Sequence, residues 1–179
     1  TAPQDPTVLD QGFGNAGPHD ALFRHNAGCK VVGISDITGG YDNPTGIDVE
    51  AAKAYVEKHP KRILDGYSEP GLVKMNGEEI LEQECLVLSP CALEGVISEK
   101  NAPLLKCKYI VEGANGPVRL EGDAVLDERG IFVVLAFLAN SCGVICLYFE
   151  WVQALAGIFW TEHESNKRLV PIIQGNFNR

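Results

Sequence analysis

The chain has 179 residues, the size of one domain or of one domain with a short extension. Hydrophobic residues make up 45% of it and charged residues 22%, a balance that supports a core and excludes an intrinsically disordered protein. The formal net charge is -9 and no cluster of Lys and Arg is visible, so nucleic acid and anionic membrane surfaces are poor candidates for partners.

The 6 cysteines and 4 histidines are not spaced as metal ligands, because no Cys-x-x-Cys pair occurs. We therefore expect no metal site, and buried reduced thiols rather than disulfides. No secretory signal opens the sequence, and polar residues interrupt its longest apolar region, 131–160. These features predict a cytoplasmic protein without a membrane span.

The first predicted elements form a strand, a glycine-rich loop and a helix. Residues 1–6 are polar and carry two prolines, which indicates the remnant of a linker. A strand from Val8 runs into the loop, and the following helix ends before Gly28, with Phe23 among its core positions. The β-branched run at 30–35 predicts a second, buried strand.

The rest of the chain alternates short strands with helices. We predict loops at 39–40 and in the Pro- and Gly-bearing stretch 60–77, and a helix capped by Asp48. Further helices are predicted at 78–82, 96–102, 121–129, 143–156 and 162–173, and further strands at 86–88, 108–111 and 131–134. This alternation predicts an α/β, Rossmann-type fold, with a doubly wound, mostly parallel sheet and helices on both faces.

The glycine loop carries the pattern of a dinucleotide site. Gly12, Gly14 and Gly17 follow a strand and open a helix, and the next strand ends in an acid, Asp36. In such a loop the first glycine permits a tight turn, the second admits a pyrophosphate, and the third lets the helix pack on the strand. The alternative is an ordinary turn without a ligand, in which Asp36 caps its own loop.

Asp36 also bears on the choice of cofactor. Its position suits hydrogen bonds with ribose hydroxyls. A carboxylate there repels a 2′-phosphate, and no Arg in the following loop neutralises one. The sequence therefore favours NAD, with NADP as the alternative.

Several longer segments are similar to those of one enzyme family, in the same order and spacing. They are QGFGNAG at 11–17, VVGISD at 31–36, GGYDNPTGID at 39–48, PCALE at 90–94, NAP at 101–103, EGANGP at 112–117 and YFEWVQ at 148–153. The chain resembles the glutamate dehydrogenases from about Thr7 to Phe177.

The resemblance implies a two-domain enzyme of which this chain is the cofactor-binding domain, at 7–160. Residues 161–179 then form a truncated helix that leads toward the absent substrate domain. The catalytic lysines and aspartate belong to that other domain, so we expect no catalytic residue here. The implied reaction is the oxidative deamination of L-glutamate to 2-oxoglutarate and ammonia with NAD(P), by a homo-oligomer that is a hexamer in the family. Glutamate and 2-oxoglutarate would bind only with the missing domain present.

The resemblance also assigns cofactor contacts. These are Phe13, Gly14, Asn15 and Ala16 under the pyrophosphate, Asp36 and Ile37 at the adenosine, Ala92 and Leu93 beside the cofactor, and Asn115 and Asn140 at the nicotinamide. With Gly12 and Gly17 they complete the predicted site, and Val144 and Leu147 are expected to line the substrate pocket.

Several positions depart from the family pattern. Leu147 stands where the family has a serine that holds the substrate side-chain carboxylate, and Leu135-Ala136 replaces a Pro-Asp pair. Asp10 occupies an aliphatic position of the first strand, where a buried carboxylate is costly. Leu147 suits the apolar pocket of the leucine, phenylalanine and valine dehydrogenases, which is the second interpretation. A non-catalytic NAD-binding module and a scaffold with a decayed site are the others.

Overall fold

A computed structural model describes residues 5–178, so residues 1–4 of the predicted linker lie outside the described part. The strands are β1 (Thr7–Gln11), β2 (Lys30–Asp36), β3 (Gly39–Asp42), β4 (Val73–Met75), β5 (Val87–Pro90), β6 (Tyr109–Val111) and β7 (Phe132–Val134). The helices are α1 (Gly17–Asn26), α2 (Val49–Lys58), α3 (Leu120–Glu128), α4 (Ala136–Ala139), α5 (Cys142–Ala156) and α6 (Glu162–Phe177). Single 3-10 turns lie at Glu79–Glu82 and Ala102–Leu104.

All seven strands join one sheet, in the order β4-β3-β2-β1-β5-β6-β7. Strands β2, β1, β5, β6 and β7 are parallel, and β3 runs antiparallel to both β2 and β4. The mostly parallel α/β sheet is therefore confirmed. The strand order reverses at β1, and at such a point the carboxyl ends of the central strands open a crevice for ligands.

Apolar side chains cover both faces of the sheet, as predicted. One cluster joins Leu9, Leu88 and Ile110 of the strands to Leu126 of α3. The other packs Phe13, Ala21, Val31, Ile34 and Ala52 together beneath α1 and α2. Burial on both faces explains why the strands read as continuous apolar runs rather than alternating patterns.

Local signals set the ends of the first two helices. Pro18 lies in the first turn of α1, where no intrahelical N–H is lost, and Gly28 follows its end with φ +90°. The Asp48 carboxylate accepts a hydrogen bond of 2.9 Å from the Ala51 amide at the start of α2, which confirms the predicted cap.

The last two helices pack on each other at the carboxyl end of the described chain. The Thr161 hydroxyl and the Glu164 carboxylate form a reciprocal capping box that starts α6. The ring of Trp160 meets Phe149 of α5 edge-on at 5.6 Å, and the Arg168 guanidinium lies 4.1 Å from the Trp160 ring centre. Across residues 5–178, no helix combines the length and the apolar character that a membrane crossing requires.

Four predictions of local structure are wrong. Phe23 is 70% exposed, because Ala21 and not Phe23 faces the core on α1. Gly40 belongs to β3 rather than to a loop, and a Cβ there would lie 2.6 Å from Ile80, so this glycine serves close packing. The stretch 60–77 contains β4, which pairs with β3. No helix spans 96–102, where Ile97 instead bridges to Val118.

The burial of the cysteines agrees with the prediction only in part. All six are free thiols. Cys85 and Cys107 are buried, whereas Cys142 and Cys146 are exposed on α5, so the expectation of burial is wrong for this pair.

Candidate functional site

The glycine loop joins β1 to α1, and its three glycines have different tasks. Gly12 has φ +111°, and a Cβ there would lie 2.6 Å from the Ala92 backbone. A Cβ on Gly17 would lie 2.2 Å from the Gly12 carbonyl oxygen. A Cβ on Gly14 would meet no heavy atom within 4 Å. The first and third glycines are therefore required by the fold, while the second faces open space.

The loop leaves three consecutive amides without partners. The Gly12 and Phe13 amides donate to the Ser35 carbonyl, at 2.9 and 2.5 Å, and the Gly14 amide donates to the Gly12 carbonyl. Within residues 5–178, no acceptor receives the N–H groups of residues 15–17. They lie at the amino end of α1, where unpaired amides and the helix dipole attract an anion.

Asn15 and Ala16, which carry the first two of these amides, line a cavity of about 940 Å³ at the carboxyl ends of β1, β2 and β5. Nine of the twelve predicted cofactor residues line it: Gly12, Phe13, Gly14, Asn15, Ala16, Asp36, Ile37, Ala92 and Leu93. The volume lies within the usual range for small-molecule sites. The Phe13 side chain is buried in the core, which anchors the loop that it belongs to.

Other predicted residues lie elsewhere. Gly17 lies behind the loop, at its contact with Gly12, and does not line the cavity. Asn115 and Asn140 also lie outside the lining, but the structure brings them together: the Asn140 Nδ2 donates to the Asn115 Oδ1 at 2.7 Å.

The two residues predicted for the substrate pocket lie on α5. Val144 is 71% exposed and Leu147 is 64% exposed, and neither lines the cavity. They share one face of the helix with Trp151 and Leu155, which are also exposed. This apolar stripe is available for packing against another surface.

Asp36 holds its own loop. Its Oδ1 accepts hydrogen bonds from the Thr38 amide and hydroxyl, at 2.8 and 2.5 Å. Its Oδ2 accepts from the Leu64 amide at 2.6 Å. A carboxylate has about four acceptor positions, so one is left for a ligand. The capping role that the sequence offered as an alternative is therefore present.

Two basic residues that the sequence analysis missed share the cavity with Asp36. Lys61 and Arg62 line it, both are exposed, and neither forms an ion pair within residues 5–178. Arg62 has φ +53°, a strained conformation for a residue with a side chain. The bond from the Leu64 amide to Asp36 draws this distant segment in, so its proximity leaves no mark on the local sequence.

A polar cluster is buried directly beneath the loop. Asp10 on β1 is fully buried, and Asp20 on α1 accepts hydrogen bonds of 2.7 Å from both Arg24 and Ser89. Burial, together with the neighbouring charge of Asp20, raises the pKa of the Asp10 carboxyl well above its usual value. Burial opposes ionisation of Asp20 too, but the adjacent Asp10 carboxyl and the Arg24 charge lower the pKa of the Asp20 carboxyl.

A second buried carboxylate supports the neighbouring turn. Glu112, from the segment EGANGP, is only 4% exposed, and its Oε2 accepts a hydrogen bond of 2.7 Å from the Ala136 amide. It thereby ties the end of β6 to the first residue of α4. Helix α4 leads to Asn140, so Glu112 helps to position the asparagine pair. Its place in the sequence does not reveal this role of Glu112.

Comparisons with known proteins agree with this architecture. The family profile described as Glutamate/Leucine/Phenylalanine/Valine dehydrogenase matches residues 2–179. The cryptic catabolic NAD-specific glutamate dehydrogenase GudB of Bacillus subtilis is 41% identical over 96% of this chain and 39% of its own length. The NADP-specific glutamate dehydrogenase of Saccharolobus shibatae is 39% identical, over 96% of this chain and 40% of its own length.

A solved structure gives the same result. The hetero-hexameric glutamate dehydrogenase from Thermus thermophilus, in its Leu-bound form, superposes with a TM-score of 0.83 and 29% sequence identity. The match covers 96% of this chain and 39% of that one. The chain thus spans about two fifths of the length of these relatives. Its sequence and its fold place it in the glutamate/leucine/phenylalanine/valine dehydrogenase family.

Proposed function

We propose that this chain is the part of an amino-acid dehydrogenase that binds a nicotinamide dinucleotide in the cavity at the glycine loop. The observation that carries the proposal is the row of three unpaired amides at 15–17, because Asn15 and Ala16 line that cavity. Open space beside Gly14 admits a phosphate to the same backbone. A pyrophosphate would satisfy these donors, with support from the dipole of α1.

The asparagine pair is our candidate for the nicotinamide end. The bond between Asn140 and Asn115 uses one donor and one acceptor. Within residues 5–178, the Nδ2 of Asn115 and the Oδ1 of Asn140 form no hydrogen bond. A carboxamide needs both a donor and an acceptor to be oriented. Bound there, the nicotinamide would supply hydride transfer, and the task of this chain would be to hold the ring in place.

At the adenosine end, Asp36 supports NAD as the cofactor. Its remaining acceptor position suits a ribose hydroxyl, and its charge repels a 2′-phosphate. Lys61 and Arg62 line the same cavity and weaken that repulsion. We therefore propose NAD as the preferred cofactor, with a smaller discrimination against NADP than Asp36 alone would give. The relatives include both an NAD-specific and an NADP-specific enzyme.

For the whole protein we propose glutamate dehydrogenase activity, with the catalytic groups on the part of the enzyme that this chain does not include. The apolar stripe formed by Val144, Leu147, Trp151 and Leu155 supports this, because it offers a face for that part to pack on. Exposed Leu147 also favours a second candidate, a dehydrogenase of apolar amino acids. Its side chain cannot donate a hydrogen bond to the side-chain carboxylate of glutamate. The hexameric relative supports a hexamer for the complete enzyme. The six free thiols support a cytoplasmic location, because the cytosol keeps cysteines reduced.

A titration of the purified chain with NAD tests the proposal. We expect saturable binding, and no oxidation of glutamate or leucine by the chain alone. Adding the remainder of the protein should restore turnover. Faster oxidation of glutamate than of leucine would support a glutamate dehydrogenase, and the reverse would support a dehydrogenase of apolar amino acids. Absence of saturable binding by both NAD and NADP would contradict the proposal and leave only the scaffold interpretation.

A further inference from the structure

Three potential metal ligands meet under the glycine loop. Asp10 from β1, Asp20 from α1 and Cys91, directly after β5, each place one ligand atom within 4.8 Å of the others. The Cys91 Sγ lies 4.0 Å from the Asp10 Oδ1. Zinc bond lengths imply a sulfur–oxygen separation of about 3.5 Å in a tetrahedral site, so a small closure brings these atoms to binding distance. The Ser89 hydroxyl lies 3.5 Å from Sγ and 2.7 Å from Asp20.

One of these ligands has an unsatisfied atom. Asp10 is fully buried, and within residues 5–178 its Oδ2 has no hydrogen-bond partner. A buried acceptor without a partner is costly, so it indicates a missing proton or a missing cation. The Oδ2 of Asp20 is occupied by Arg24 and Ser89, and its Oδ1 accepts no hydrogen bond in the described part.

The charges favour a divalent cation. Burial favours the protonated forms of Asp10 and Cys91, so a bound cation would displace both protons. With Asp10, Asp20 and Cys91 then ionised, the Arg24 guanidinium balances one of three negative charges, and a divalent ion neutralises the remaining two. A thiolate beside two carboxylates is a ligand set for Zn²⁺ rather than for Mg²⁺ or Ca²⁺, which prefer oxygen alone.

The surroundings also leave room for such an ion to arrive. A Cβ on Gly113 would lie 2.4 Å from the Cys91 Sγ, so this glycine makes space for the thiol. Cys91 also lines the cavity of about 940 Å³, which gives a route from solvent.

We propose that Asp10, Asp20 and Cys91 form a zinc-binding site beneath the glycine loop. The sequence spacing conceals this site because its ligands come from three separate elements. The proposal does not depend on dinucleotide binding, since the two sites use different atoms.

The test titrates the metal-free 179-residue chain with Zn²⁺ against a chromophoric chelator, and with Co²⁺ to follow the absorption of a cobalt–thiolate bond. We expect a single site in the unmodified chain. Asp10→Asn and Cys91→Ser should each weaken Zn²⁺ binding by about 100-fold or more, and Cys91→Ser should remove the cobalt–thiolate band. Cys142→Ser and Cys146→Ser, which change exposed thiols outside the cluster, should leave the binding unchanged.

Two results would overturn the proposal: no Zn²⁺ binding by the unmodified chain, or binding that survives in both cluster variants and disappears in Cys142→Ser or Cys146→Ser. A proton shared between Asp10 and Asp20 would then be what satisfies the buried oxygen. Thermal unfolding with a chelator present checks the fold of each variant. If Asp10→Asn does not fold, Cys91→Ser and the cobalt spectrum still decide the question. NAD titration of the same samples shows separately whether the cofactor proposal holds.

Discussion

Replacing Gly14 with Val puts a side chain at the mouth of the cavity without disturbing the core. A Cβ at this position meets no heavy atom within 4 Å, and the residue does not have a positive φ. The substitution also restricts the unfolded chain, which typically stabilises a protein by about 0.4–1 kcal/mol when the native conformation is compatible. The fold of Gly14→Val should therefore be at least as stable as that of the unmodified chain.

The effect on binding should be large. The valine side chain would occupy the space through which a phosphate reaches the amides at 15–17. A hydrogen bond to a charged group contributes about 1.5–3 kcal/mol, so losing two of the three would cost roughly 3–6 kcal/mol. Since each 1.4 kcal/mol is about a tenfold change, the Kd for NAD should rise by about two to four powers of ten.

Isothermal titration with NAD and thermal unfolding of the same samples measure the two effects separately. Gly175→Val is the matched control, because Gly175 on α6 also faces open space but lies far along the chain from the cavity lining. It should bind NAD as the unmodified chain does. If Gly14→Val binds NAD with unchanged affinity, the loop is only a turn and its amides do not bind the cofactor.

Three further predictions concern neighbouring residues. Gly17→Ala should lower the free energy of unfolding by about 2–3 kcal/mol, or Tm by roughly 5–10 °C, because its Cβ would lie 2.2 Å from the Gly12 carbonyl oxygen. An unchanged Tm in thermal unfolding would contradict this prediction. Arg62→Ala should weaken NADP binding about fivefold, with little change in the affinity for NAD. Titrations with both cofactors measure this difference. Equal losses of affinity for NAD and NADP would mean that Arg62 does not face the 2′ position. With a chelator present, Asp10→Asn should be more stable than the unmodified chain by a margin that grows as pH rises above about 4. The reason is that folding raises the pKa of the Asp10 carboxyl. As the pH rises from the unfolded-state pKa to the folded-state pKa, the free energy of unfolding therefore falls in the unmodified chain but not in Asp10→Asn. The charged or titratable groups that face this carboxyl are Asp20, Arg24 and Cys91. Urea unfolding at a series of pH values measures the margin, and a margin independent of pH would show that Asp10 ionises normally.

Much of the framework could be predicted from the sequence because it rests on local signals. The apolar runs predicted the parallel strands, and Asp48 predicted the start of α2. The spacing of Gly12, Gly14 and Gly17 predicted the position of the loop. Each signal acts within a few residues, through backbone conformation or a single hydrogen bond. The errors arose where distant contacts override such signals. Gly40 looks like a loop residue, but it lies in a strand because Ile80 packs against its backbone.

The composition of the site depended more on tertiary structure. Lys61 and Arg62 join the cavity because the Leu64 amide donates to Asp36, a bond between residues that are 28 positions apart. The same bond ties Asp36 to a distant segment, a contact that its position at the end of β2 does not reveal. Asn115 and Asn140 were both predicted as cofactor residues, but only the folded chain shows that they bind each other.

By itself, the sequence determined the α/β fold class, the family and the position of the glycine loop, since all three follow from short patterns that neighbouring residues produce together. Only the tertiary structure decided which amides stay unpaired and which charges share the cavity. It also decided that Asp10, Asp20 and Cys91 meet beneath it. The physical reason is that strand order and helix packing bring together residues far apart in the chain, and hydrogen bonding and electrostatics act over distances of a few ångströms in space.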